Sequence, residues 1–182
     1  MIAETLPEQT WLRVADEDWS DPLDPSYAAE HGGRWNPPKS YPTLYLNQDL
    51  DTARAQIRKL LAGQPAEPED LDPPYTLVLA ALPRRQQAAD ATTNAGLAAL
   101  GLPHSYPIDV AGQEIAHSTC QPIGVAVHDA GLQGVHCRSA ATPDGTGREW
   151  AWFPARSTSR ARAVGEALPF SVWWYADAVP LG

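Results

Sequence analysis

Between residues 43 and 61 the apolar spacing changes period, and this limits what the chain can fold into. Leu44 and Leu46 flank Tyr45 at the two-residue spacing of a strand, which turns Tyr45 to the opposite face. From Asp49 onward Leu50, Ala53, Ile57, Leu60 and Leu61 recur at offsets of 3, 7, 10 and 11, and Gly63 and Pro65 end the pattern. That is an amphipathic helix. A strand feeding directly into a helix with one apolar stripe calls for a layered mixed α/β domain. Gln56 lies three residues after Ala53 and four before Leu60, so it borders the buried stripe.

The rest of the chain fits such a domain. Residues 11–14, 75–82, 135–138 and 149–153 read as short strands, with a Pro-Asp-Gly turn at 143–145. Residues 170–179, rich in aromatic and β-branched side chains, read as a last strand. A helix is expected over 118–131, with Ser118 as N-cap, Pro122 in its first turn and Gly131 as the stop. The Ala-rich stretch 86–100 reads as a surface helix, and the acidic segments before Tyr27 and over 64–74 read as loops. At 182 residues, a single domain spanning 1–182 is expected. No Gly-rich phosphate loop joins an early strand to a helix, which argues against a doubly wound parallel sheet.

Charge narrows the possible partners. The net charge of −9 disfavours direct binding to nucleic acid or to an anionic membrane. The stretch holding Arg138, Arg148, Arg156, Arg160 and Arg162 has only Asp144 and Glu149 against them, and reads either as a solvated mixed face or as the rim of an anion site. No apolar leader opens the chain, no run of about 18 apolar residues suggests a membrane span, and the two cysteines fall in predicted elements. A reducing cytoplasm is the expected compartment.

The segment Gly32-Gly33-Arg34-Trp35-Asn36 places a cation and an aromatic ring just before the Tyr45 strand. Together with Arg13 on the first strand, Leu-Tyr-Leu at 44–46 and Val-His-Cys-Arg-Ser-Ala-Ala at 135–141, it resembles the RES family of NAD-degrading toxins. Helix 118–131 before that last motif and Trp150-Ala-Trp-Phe153 after it keep the family's order, so the resemblance spans nearly the whole chain. It implies an ADP-ribosyltransferase-like fold, with two short-stranded β-sheets framing an NAD cleft and flanking helices. It also implies a helix-turn-helix antitoxin as partner. Arg13, Arg34, Tyr45 and Ser139 match the family's cofactor-site positions, whereas its glutamate falls on Gln56. On that correspondence alone, Gln56→Glu is expected to raise turnover.

The chemistry supports the same residues. NAD carries a pyrophosphate and a flat nicotinamide on ribose, so its site needs guanidinium donors and aromatic surface. Arg13, Arg34, Trp35 and Tyr45 supply these types. Breaking the nicotinamide bond passes through an oxocarbenium-like ribosyl cation that a carboxylate stabilises. A glutamine offers neither charge nor base. Gln56 therefore implies a weakened enzyme, a binding protein without turnover, or an enzyme whose carboxylate comes from Glu149, Asp49 or Glu114. Each residue also has an ordinary reading: Arg34 as an ion-pair partner of an N-terminal carboxylate, Trp35 and Tyr45 as core aromatics, Gly32 and Gly33 as a turn, Ser139 as a backbone ligand.

Two other constellations are weaker. His117 and Cys120 have a zinc-like spacer, yet His136 and Cys137 adjoin on a strand and point to opposite faces, so no metal is expected. Ser157-Thr158-Ser159 resembles the Ser-Thr-Ser element of arginine-type ADP-ribosyltransferase toxins, but only Glu166 follows as a glutamate, and the segment reads as a polar loop. The expected function is therefore a toxin that takes NAD as substrate and cleaves its nicotinamide–ribose bond, with water or phosphate as acceptor. Transfer of ADP-ribose to a protein and a non-catalytic nucleotide- or partner-binding module are the alternatives.

Overall fold

The computed structural model describes residues 1–154 and 159–179. Its strands are β1 (Ala3–Thr5), β2 (Thr10–Asp16), β3 (Leu44–Asn47), β4 (Tyr75–Ala81), β5 (Gln87–Ala91), β6 (Gly134–Arg138), β7 (Arg148–Trp152) and β8 (Arg162–Ala163). Its helices are α1 (Ser26–His31), α2 (Leu50–Leu60), α3 (Asn94–Ala99), α4 (His117–Asp129) and α5 (Phe170–Trp173). The mixed α/β expectation is met.

The strands hydrogen-bond in the order β1-β5-β6-β7-β3-β2-β4-β8, antiparallel except for β5 and β6. They form one eight-stranded sheet instead of the two expected. The reason lies at its centre: β2 pairs with β4 along its whole length, from Thr10↔Ala81 to Asp16↔Tyr75, but meets β3 only at Leu12↔Asn47. Two ribbons are thus joined by one register pair at the end of β3, and β2 and β3 part beyond it, toward Asp16 and Leu44. The divergence opens the cavity described below.

Alternation decides what each face covers. Leu44 and Leu46 pack with Trp11, Trp150 and Trp152 on one side, while Tyr45 packs on the other with Trp35, Val135 and Phe153. Helix α2 buries Leu50, Ala53 and Ile57 against Leu12, Leu77 and Trp173. Its start is fixed by Asp49, whose side chain accepts from the Thr52 N–H at 2.7 Å. Asp49→Ala should cost about 1 kcal/mol. Thermal unfolding followed by circular dichroism should show a melting temperature lower by roughly 2–4 °C.

Four sequence expectations are corrected. Residues 86–100 form β5 and then α3 instead of one surface helix. Ala88 to Ala91 are almost entirely buried on an inner strand, where alanines carry no amphipathic period to read, and Thr93 caps the short helix. The long helix begins two residues early, with Ala116 at its N-cap, which leaves Pro122 inside α4, where its ring removes one main-chain bond. Residues 170–173 are helical because Pro169 starts a turn that buries Phe170 and Trp173, three apart, on one face. Finally, α1 takes in Ser26 and Tyr27, the end of the acidic stretch read as loop. Ser157 and Thr158 of the Ser-Thr-Ser element, and Arg156, lie outside the described residues.

Candidate active site

Where β2 leaves β3, a cavity of about 610 Å³ opens. That lies within the roughly 300–1,000 Å³ typical of small-molecule sites. Strands β2, β3 and β7 contribute Arg13, Tyr45 and Glu149 to its lining, α2 contributes Gln56 and Lys59, and the loops contribute Trp19 and Arg34. Residues far apart in the chain meet here because the splayed strands leave no ladder to fill the gap.

Arg13 occupies that gap. Beyond the Leu12↔Asn47 pair its Nη1 donates to the main-chain oxygen of Tyr45 at 3.0 Å, and its guanidinium lies 5.4 Å from the centre of the Trp19 ring. Its buried Nε has no hydrogen-bond partner, and it makes no ion pair among the described residues. Loss of solvent pushes its pKa down to about 10, so it remains charged at neutral pH. A cation withdrawn from water without a counter-charge favours an anionic ligand.

Tyr45 is fixed by its hydroxyl, which donates to Asn36 Oδ1 at 2.8 Å and accepts from the Trp35 N–H at 2.9 Å. Burial pushes that hydroxyl far above its usual pKa, so it stays protonated. The glycine pair explains itself here: Gly32 has φ 76°, and a Cβ on Gly33 would fall 2.4 Å from the Tyr45 hydroxyl. The Gly-Gly-Arg-Trp-Asn loop is shaped to receive this tyrosine.

Glu149 lines the cavity floor, and the fully buried Asn47 faces it across β3 and β7. Asn47 Nδ2 donates to Gln56 Oε1 at 3.0 Å, Gln56 Nε2 donates to Glu149 Oε1 at 3.2 Å, and the Ser139 hydroxyl donates to the same Glu149 oxygen. Burial raises the pKa of Glu149, and the bonds from Ser139 and Gln56 hold it back. Ser139 is fully buried and does not line the cavity; it reaches the site through Glu149.

Two sequence assignments change. Trp35 supplies no ring to the cleft: it is 1% exposed, donates its indole N–H to Cys137 Sγ at 3.3 Å and packs against Tyr106. Adjacent residues on a bent loop diverge, so the cation-side neighbour of Arg34 in sequence is a core residue in space. Arg34 lines the cavity wall but is committed to the protein, donating to the Ile115 oxygen at 2.6 Å and pairing with Glu114, which also takes Lys59 Nζ at 2.7 Å. The ion pair expected for it exists, with Glu114 in place of an N-terminal acid.

Trp19, Tyr27 and Lys59 went unmarked in the sequence. Trp19 and Tyr27, with ring centres 5.6 Å apart, supply the aromatic surface at the mouth, yet they sit in aperiodic sequence. Lys59 could have been found, because it follows Gln56 by three on α2 and so shares its face. His117, in the same lining, has a pKa lowered by burial. Among the described residues no group of three or more His, Cys, Asp or Glu side chains is placed to hold a metal ion, and no helix is long and apolar enough to cross a membrane.

A family model described as the RES domain matches residues 10–173. A chain in the crystal structure of the M. tuberculosis MbcT–MbcA toxin–antitoxin complex superposes with a TM-score of 0.70 at 21% identity, covering 93% of this chain and 90% of that one. The likeness establishes a shared fold. No curated protein matches the sequence at a significant level.

Proposed function

The chain belongs to the RES domain family, and from that premise we propose that it is the toxin of a toxin–antitoxin pair, binds NAD in this cavity and cleaves the nicotinamide–ribose bond. The observation that carries the reading is Arg13, a partly buried guanidinium with no ion pair among the described residues, beside aromatic surface and in one cavity with a buried carboxylate. A dinucleotide satisfies all three at once. Its pyrophosphate takes the remaining Arg13 donors, and its nicotinamide end lies along the Tyr45 ring.

In the reaction the bond between nicotinamide N1 and ribose C1′ breaks, and its electron pair leaves with the ring, which becomes neutral. Positive charge passes to the ribosyl carbon, where water or phosphate attacks. Tyr45, held by Asn36 and Trp35, forms a wall that keeps the sugar oriented. Arg34 braces the wall through Glu114, and Ser139 and Gln56 steady the carboxylate beneath it.

A helix-turn-helix antitoxin is the proposed partner. The M. tuberculosis structure, itself a toxin–antitoxin complex, supports pairing, and the net charge of −9 agrees with DNA contact being left to the other chain. Purified protein should release nicotinamide from NAD, followed by chromatography, with ADP-ribose as co-product in water or its phosphate ester in phosphate buffer. Label appearing on protein would redirect the reading to protein ADP-ribosylation. Binding without release would make the chain a nucleotide-binding module.

A further inference from the structure

We propose that Glu149 on β7 supplies the catalytic carboxylate of this site and that Gln56, at the helix position where the family's glutamate falls, is the residue that positions it. The inference rests on the NAD-cleaving reading and deepens it.

Three carboxylates could stand in for the missing one, and their surroundings separate them. Asp49 caps α2 through the Thr52 N–H and does not line the cavity. Glu114 lies at the surface, its side chain 44% exposed and shared between Arg34 and Lys59. Its charge is already answered. Glu149 is 8% exposed, lines the cavity and makes no ion pair among the described residues.

Its hydrogen bonds also point to the role. Ser139 and Gln56 both donate to Oε1, while Oε2 receives no hydrogen bond from any described residue. One oxygen is anchored and the other is left for a ligand. Gln56 and Glu149 are joined at 3.2 Å across the floor, so the charge that the family carries on the helix stands here on the facing strand, one hydrogen bond away. The amide left on the helix can donate to that carboxylate, which a second carboxylate could not do without taking up a proton.

The physical consequence favours catalysis. A buried carboxylate without a direct ion pair among the described residues is costly in the free protein, Arg34 and Lys59 offsetting the cost only in part, and the cost falls further when positive charge develops at C1′. Glu149 thus interacts more strongly with the ribosyl cation than with the ground state. As the water oxygen bonds to C1′, its proton passes to Glu149 Oε2 and then to solvent. Protonation of Glu149 abolishes both roles, so turnover should fall on acidification, at a pH above the usual carboxylate range because burial raises this group.

The test compares the unaltered chain with Glu149→Gln, an isosteric change that still accepts from Ser139 and Gln56. Nicotinamide release should fall by roughly 10²- to 10⁴-fold. NAD affinity by calorimetry and the melting temperature should stay near their unaltered values. The double variant Gln56→Glu/Glu149→Gln returns the carboxylate to the helix side and should recover part of the lost rate. Unchanged turnover in Glu149→Gln overturns the assignment, as does a loss of turnover matched by equal losses of NAD binding and thermal stability. If the unaltered chain releases no nicotinamide, the NAD-cleaving reading itself falls, and the assignment with it.

Discussion

Arg13→Met is expected to weaken NAD binding by roughly 30-fold or more, equivalent to about 2 kcal/mol or more, without comparable damage to the fold. Methionine keeps an unbranched stem beside Trp19 and removes only the charge and the donors. In the free protein Arg13 gives one hydrogen bond, to Tyr45 O, and meets no counter-charge among the described residues. Losing that bond costs about 1 kcal/mol, and the change also relieves a cation held partly out of water. The melting temperature should therefore move by no more than roughly 2–4 °C. Calorimetric titration with NAD alongside a thermal melt separates the two effects. Unchanged affinity would place the anion elsewhere, most plainly on Arg34, which would first have to give up Glu114.

Gly124→Ala is expected to destabilise the protein by roughly 3 kcal/mol or more, the reverse of what a helix interior ordinarily gives. In an unhindered helix the same change would stabilise by about 1 kcal/mol. Here a Cβ would lie 1.7 Å from the main-chain oxygen of Trp35 and 2.7 Å from its carbonyl carbon. Main chain cannot rotate away as a side chain can, and that oxygen is already held by the Tyr41 hydroxyl at 2.6 Å. Helix α4 would have to retreat from the loop that seats Tyr45, so NAD turnover should fall along with a melting-temperature drop of roughly 6–12 °C. A melt at or above the unaltered temperature would show that the helix and loop are less tightly apposed than described.

These two residues also mark how far the sequence could be read. Arg13, Tyr45 and Gln56 were legible because each sits on an element with a clear local period: β2, β3 and α2 recover the residues 11–14, 44–46 and 50–61 almost as spaced. Gly124 was not, because its meaning depends on a loop some ninety residues earlier pressing on the helix. The same holds for Glu149. It stood beside Asp49 and Glu114 as an equal candidate until the Asn47↔Glu149 register placed it under Gln56.

Misreadings followed the same line. Trp35 adjoins Arg34 in sequence and so reads as a ligand residue, whereas the aromatic that meets a cation in the cleft is Trp19, from a stretch with no period at all. The alanines of β5 gave no amphipathic contrast, so a buried strand read as a surface helix. The cavity itself arises where β2 and β3 part after a single pair. That is a property of the sheet's twist and of the elements packed on it, and no local pattern encodes it. Gln56 carries two expectations: by correspondence Gln56→Glu would restore a catalyst, whereas with Glu149 in the proposed role it would set two carboxylates within hydrogen-bonding distance, where they would share a proton.

The most direct test is a crystal structure of Glu149→Gln with NAD, the slowed variant keeping the substrate whole. The account predicts the pyrophosphate within hydrogen-bonding distance of the Arg13 guanidinium and the nicotinamide-bearing C1′ facing the side chain of residue 149. NAD bound away from Arg13, or with its ribose turned from residue 149, would contradict it.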